Sequence, residues 1–197
     1  MAVGVRIDIA GATLEQYDEI CRLMGLTPRG TGPAGLLFHW AAKHDGGVLA
    51  TDVWRDRERF DEFARDQIGP RTQQAGVTKP PEMTFYNVHN YLTAPGDLGN
   101  PRGPIAVVMD FDGNLEQYDE IIDLMGFAAQ GAGPHGGMFH WVADVNGGIR
   151  VTDVWQDRVT FDDFSEHQIQ PYSAKVGVAA PTSVTIYQVH NYLTAGA

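Results

Sequence analysis

The stretch FHWAAKHDGGVLATDVW, Phe38 to Trp54, returns about a hundred residues later as FHWVADVNGGIRVTDVW, Phe139 to Trp155. LEQYDE at Leu14–Glu19 returns at Leu115–Glu120, and VHNYLTA at Val88–Ala94 returns at Val189–Ala195. The copies align at a constant offset between these anchors. A repeat of this length is a domain-sized unit and not one turn of a solenoid. The 197 residues are therefore expected to fold as two like units, 1–94 and 105–197. Segment 95–104, dense in Pro and Gly, reads as the linker.

Each repeat parses in the same order. Val5–Ile9 alternates as a short strand. Thr13 then caps a helix, with Gln16 completing a capping box, and Asn114 with Gln117 repeats the device. Leu14, Tyr17, Cys21 and Met24 share one helical face, and Gly25 ends the run. The quoted hairpin follows. Phe60, Phe63, Ala64 and Ile68 mark a second helix that should close at Pro70 or soon after. Met83–Leu92 is the last strand. The order βαββαβ is the ferredoxin-like plan, an α+β class. One such sheet carries helices on a single face, so two copies in one chain are expected to close into a pseudo-dimeric α/β barrel with helices outside.

Asp45-Gly46 and Asn146-Gly147 are favoured centres of a two-residue type I′ turn. With those tips, His39 faces Asp52, Leu37 faces Trp54, His140 faces Asp153 and Met138 faces Trp155. Each repeat thus presents an imidazole beside a carboxylate, with a tryptophan on the same face. Phe38, Trp40, Ala42, Leu49, Thr51 and Val53 form the other face and are assigned to the helices. The His–Asp–Trp face then points into the barrel, joined from the last strands by Asn87, His89 and Tyr91 and by Gln188, His190 and Tyr192. Asp8 and Asp110 are expected to point the same way.

A carboxylate that orients an imidazole raises its basicity, which makes His39 with Asp52 and His140 with Asp153 candidate general bases. The alternative is a structural cross-strand hydrogen bond that fixes register. Trp54 and Trp155 are either core packing or flat walls for an aromatic ligand. His89, His190, Tyr91, Tyr192, Asn87 and Gln188 are candidate substrate-binding groups. A metal reading places His39 near His190 and His140 near His89, but no HxH or HExxH spacing supports it; no metal or cofactor is expected. His44 beside the first turn, the loop residue His135 and the helical His167 read as solvated. The glycines of Gly30–Gly35 precede a strand instead of opening a helix, so they lack a phosphate loop's helix N-terminus.

A formal charge of −11 argues against nucleic acid and acidic membrane surfaces, since nothing offers a basic patch. The one cysteine, Cys21, excludes an internal disulfide and reads as a small helix residue. Neither a signal peptide nor a membrane span is recognisable, and a cytoplasmic protein is expected. It would be monomeric as a pseudo-dimer, with further homodimerisation left open.

The strand ending in Asp-Val-Trp before an Asp-Arg and an aromatic-bearing helix (DVWRDRERFDEF, DVWQDRVTFDDF), with the terminal VHNYLT, resembles the dimeric α/β-barrel superfamily. Within it the chain is most similar to antibiotic biosynthesis monooxygenase-type proteins. The resemblance spans nearly the whole chain, twice, as if a homodimer had been fused. It implies oxidation of polycyclic phenols by molecular oxygen without metal or flavin, in a pocket holding a base and aromatic walls. Trp54 and Trp155 match the strand-end tryptophan that lines such pockets. The residue set of the haem-degrading branch is incomplete, because His167 has no counterpart in the first copy and the first strand offers Asp8 or Asp110. Related barrels also cyclise or isomerise polyketide-like substrates, and some only bind ligands, as stress-response barrels do. The leading expectation is a cofactor-independent oxygenase for a hydrophobic aromatic small molecule.

Overall fold

The computed structural model describes residues 1–101 and 103–196. Arg102 in the linker and Ala197 at the end of the second repeat lie outside the described residues. The elements are β1 (Val3–Ala10), α1 (Leu14–Leu23), β2 (Leu36–His44), β3 (Gly47–Trp54), α2 (Arg57–Phe63), α3 (Gly69–Gln74) and β4 (Glu82–Thr93). They are followed by β5 (Ile105–Phe111), α4 (Leu115–Leu124), β6 (Gly137–Val145), β7 (Gly148–Trp155), α5 (Arg158–Phe164), α6 (Gln170–Val176) and β8 (Ser183–Leu193). Hydrogen bonding orders the strands β1-β3-β2-β8-β5-β7-β6-β4 as a closed antiparallel barrel. This is the α+β class expected, with βαββαβ order followed twice. Among the described residues no helix is long and apolar enough to cross a membrane.

The chain divides into two compact units, Met1–Asn87 with Val189–Ala197, and Val88–Gln188. The far ends of β4 and β8 are thus exchanged relative to the sequence repeats. In the first unit β8 pairs with β2, Leu193 opposite His39 and Asn191 opposite Ala41. In the second, β4 pairs with β6, Leu92 opposite His140.

Local chemistry sets the helix starts as the sequence predicts. Thr13 and Asn114 each accept from the backbone N–H three residues on, and Gln16 and Gln117 reach back to complete both capping boxes. The second helix differs from expectation in its course. It ends at Gln74, soon after Pro70 as expected, but reaches it through a π-helical turn at Ala64–Ile68 where Gly69 N–H donates to the Ala64 carbonyl. The widened turn takes up a proline whose ring would press on the preceding turn of a regular helix. Ser165–Ile169 and Pro171 repeat this in the second unit.

The hairpins keep the expected two-residue loops, with His44 opposite Gly47 and Val145 opposite Gly148. They are not type I′ turns. Asp45, Gly46 and Asn146 all avoid positive φ, whereas Gly147 has φ 90° and Gly47 φ 149°. Loop length therefore sets the register without that turn type. His39 does face Asp52 and His140 does face Asp153. A bulge at each strand's start, however, brings Leu36 instead of Leu37 opposite Trp54, and Gly137 instead of Met138 opposite Trp155.

Candidate active site

The His–Asp–Trp face points at the helices and not into the barrel, which reverses the sequence expectation. Val5 pairs with Asp52 and Ile7 with Ala50, and these positions pack against Tyr17, Ile20 and Cys21 of α1 and Phe60 of α2. The opposite face, with Phe38, Trp40, Leu49 and Val53, is equally buried. A ribbon apolar on both sides gives periodicity nothing to choose between.

Between sheet and helices each unit encloses a cavity. The first is walled by Ile7, Tyr17, His39, Asp52, Trp54 and Leu193, among others. The second has Met109, Tyr118, His140, Asp153, Trp155 and Leu92 in corresponding roles. Counting the space at their mouths, they hold about 540 and 810 Å³.

In the first cavity four side chains form one hydrogen-bonded line. Asn191 Nδ2 donates to Tyr17 Oη at 3.0 Å. The tyrosine lies 2.7 Å from His39 Nε2, and His39 Nδ1 lies 2.6 Å from Asp52 Oδ1. Asn191 Oδ1 accepts the Arg29 backbone N–H, which fixes the amide's orientation. With the imidazole hydrogen on Nδ1 toward the carboxylate, Nε2 is free to accept the tyrosine hydrogen. The tyrosine and histidine rings lie within 1° of parallel, with the hydrogen bond joining their edges. The second cavity repeats the line from Asn90 through Tyr118 and His140 to Asp153, at 3.0, 2.8 and 2.6 Å, and Asn90 Oδ1 accepts Gln130 N–H.

The residues at the loop end of each line are strained. Arg29 and Gln130 hold φ of 58° and 57°, so each asparagine pins a left-handed turn while it donates to the tyrosine. Burial raises both tyrosine hydroxyls well above their ordinary range, Tyr17 further opposed by the neighbouring Cys21. A standing phenolate is disfavoured at both positions. Burial also pushes the Cys21 thiol up to about 11.

The indoles differ between the units. Trp54 Nε1 donates to Asp52 Oδ2 at 3.1 Å, so that aspartate takes two donors. Trp155 Nε1 is buried with no hydrogen-bond partner.

Of the residues singled out from sequence, His39, Asp52, Trp54, His140, Asp153 and Trp155 come together at the cavities. The last-strand groups do not line them. His190 pairs with Asp18 at 2.7 Å and His89 with Asp119 at 2.8 Å, both partly in solvent. Tyr192 and Tyr91 stack on Phe38 and Phe139. Asn87 is exposed, and Gln188 donates to the Pro104 carbonyl. Asp8 and Asp110 sit on the face away from the cavities, where Asp8 meets Arg6 and His44 and Asp110 meets Arg150. His44, expected in solvent, is therefore only partly exposed. Among the described residues no group of three His, Cys, Asp or Glu side chains is placed to hold a metal ion.

Sequence reasoning missed Tyr17, Tyr118, Asn90 and Asn191. The signal was present, since all four belong to the repeated segments LEQYDE and VHNYLTA. The tyrosines read as apolar helix-face residues, and nothing local indicated that a hydroxyl would meet an imidazole.

No family model matches the chain, and no curated protein sequence matches it. Solved structures do. A candidate monooxygenase from Fusobacterium nucleatum subsp. nucleatum superposes with a TM-score of 0.67 at 12% identity, covering 98% of this chain and 94% of that one. A second candidate monooxygenase, from Lactobacillus acidophilus, gives 0.64 at 10% identity over 98% and 95%. At such identities the likeness is one of fold, and the closed eight-stranded array with its βαββαβ order fits the dimeric α/β barrel.

Proposed function

We propose that the chain is an enzyme of the antibiotic-biosynthesis-monooxygenase type, which oxidises an aromatic or polyketide-like molecule with O₂ and no bound cofactor. The observation that supports this reading is one hydrogen-bonded line of Asn, Tyr, His and Asp in each unit, whose Tyr, His and Asp line a largely apolar cavity. The substrate class that suits it is an activated CH₂ between conjugated groups, beside a ring that the apolar walls can hold. The line moves a proton in two linked transfers. The substrate proton passes to Tyr118 Oη as the tyrosine's own proton passes to His140 Nε2, and Asp153 stabilises the imidazolium. Concerted transfer avoids the phenolate that burial disfavours. The resulting carbanion is oxidised as it forms a C–O bond to O₂, and the peroxide anion takes back the proton held by the line to give R₂CH–OOH, whose distal hydroxide leaves in the next step and becomes water. Loss of the remaining C–H proton then cleaves the O–O bond, and the sum R₂CH₂ + O₂ → R₂C=O + H₂O needs no external reductant.

The test is oxygen uptake and product formation with tricyclic CH₂ and phenol substrates. One O₂ should be consumed per carbonyl formed, turnover should stop anaerobically, and replacing both His39 and His140 by Phe should lower the rate about 10²- to 10⁴-fold. Full activity in that double variant would overturn the reading. Turnover that continues without O₂ would instead favour cyclisation or isomerisation by the same base. A second reading, a ligand-binding barrel without turnover, is favoured by the saturation of the line, since both imidazole nitrogens already have partners. It predicts binding that survives the double variant and no chemistry.

A further inference from the structure

We infer that the two cavities divide the work: the second unit's cavity takes the ligand, a planar aromatic body with a hydrogen-bond-accepting oxygen, and Gly137 is the residue that makes room for it. The inference deepens the proposed function and rests on it for the ligand class alone. Leu36 stands opposite Trp54 in the first unit, wholly buried and part of the cavity wall. The corresponding place opposite Trp155 is Gly137, which has no side chain. The second cavity is the roomier, about 810 against 540 Å³. That holds although it carries larger groups elsewhere, Phe127 where the first unit has Leu26 and Val151 where it has Ala50.

Polarity differs in the same direction. Asp52 already holds the Trp54 N–H, so that donor is spent within the protein. The Trp155 indole lines the larger cavity, and its N–H is buried without a partner; a buried donor left unmade is costly until something accepts from it. The first cavity also has an unpartnered group, the Thr72 hydroxyl on α3. It belongs to α3, whereas the Asp–His pair belongs to β2 and β3. A carbonyl or phenolic oxygen on Trp155 would bring the ligand's ring beside His140 and Tyr118.

The probes are fluorenone and fluorene, one frame with and without the oxygen. The readout is the set of four tryptophan indole N–H resonances in ¹⁵N-labelled protein, assigned with Trp54→Phe and Trp155→Phe. Fluorenone should bind once per chain and move the Trp155 resonance but not that of Trp54. Fluorene should bind about five- to tenfold more weakly, the worth of one hydrogen bond. Trp155→Phe should erase the difference between the probes. Gly137→Leu should abolish binding; a Cβ there meets the Pro134 carbonyl oxygen at 3.2 Å, so that neighbour must give by a few tenths of an ångström. If that variant does not fold, Leu36→Ala decides, because opening the first cavity should add a second bound probe and move the Trp54 resonance. Wild-type binding at Trp54, two bound probes, no binding, or a fluorenone preference that survives Trp155→Phe would each overturn the inference. Binding as described without oxidation of any substrate would instead sink the enzyme reading and leave the division of cavities standing.

Discussion

Replacing Tyr118 by Phe removes one oxygen and keeps the ring, so packing is conserved and only the hydrogen-bonded line is cut. Asn90 Nδ2 loses the Tyr118 hydroxyl while its Oδ1 stays tied to Gln130 N–H. The amide is 3% exposed, so water cannot replace the lost partner without the site opening. An unsatisfied buried donor costs about 1–3 kcal/mol. His140 Nε2 also loses its donor, but that side chain is 16% exposed and belongs to the cavity lining, so water can serve it at a cost nearer zero. The expected loss is about 1.5–3 kcal/mol. Urea unfolding followed by far-ultraviolet circular dichroism measures it as a lower midpoint at unchanged slope. A double-mutant cycle then isolates the pair. Asn90→Ala alone leaves Gln130 N–H unserved, but in the Tyr118→Phe background it removes the orphaned amide, so the combined loss should fall short of the sum by about 1–2 kcal/mol. A single-variant loss under about 0.5 kcal/mol, or strict additivity in the cycle, would refute the buried line.

Gly148→Ala sets a Cβ 1.9 Å from the Phe111 carbonyl oxygen. Backbone cannot yield as a flexible side chain does, so thermal unfolding should report a loss of at least about 2 kcal/mol, and an unchanged melting temperature would contradict the register described. Thr13→Ala deletes the cap that accepts Gln16 N–H at 3.2 Å and should cost about 1 kcal/mol by urea unfolding. Hydrogen bonds from Arg150 and Ser183 hold the Asp110 carboxyl below its usual range, against some desolvation. The folded value is the lower one, so this stabilisation is present above the unfolded carboxyl's pKa and is lost as pH falls through the folded value. Arg150→Met should therefore lower stability near neutrality by under about 1 kcal/mol, given the partial exposure, and the gap from wild type should close in strong acid. Cys21, buried with its thiol raised to about 11, should resist maleimide at neutral pH until urea unfolds the protein. Rapid native labelling would show α1 lifting off the sheet.

Features decided within a few residues were legible. Both capping boxes and both His–Asp oppositions follow from local chemistry and loop length, and the structure has them. Facing was not legible, because Phe38 and Trp40 are as apolar as Trp54 and Leu36, and the ribbon is covered on both sides. The π-turn before Pro70 was not legible, because a lone proline shows that a helix is near its end but not how the helix absorbs it. The tyrosines were legible as repeated letters but not as hydrogen-bonding groups. Tyr17 meets His39 across helix and sheet, and its amide partner Asn191 lies 174 positions further on. The step from Leu36 to Gly137 was equally visible and equally mute until the bulges set both opposite tryptophans.

The exchanged strand ends impose an order of assembly. Val189–Leu193 follows β1 to β7 in the order of synthesis, yet it supplies Asn191 to Tyr17 and Leu193 to the edge of β2. The loop before β2 waits too, since Thr194 N–H and Gly196 N–H donate to the Gly30 and Leu36 carbonyls. During synthesis the leading half of the chain must therefore persist with an open strand edge and an unmet tyrosine hydroxyl, while the trailing half can close its own copy first. Contacts that distant in sequence form slowly, so loss of Val189–Gly196 would leave the unit whose other strands are made earlier as the one unable to finish folding.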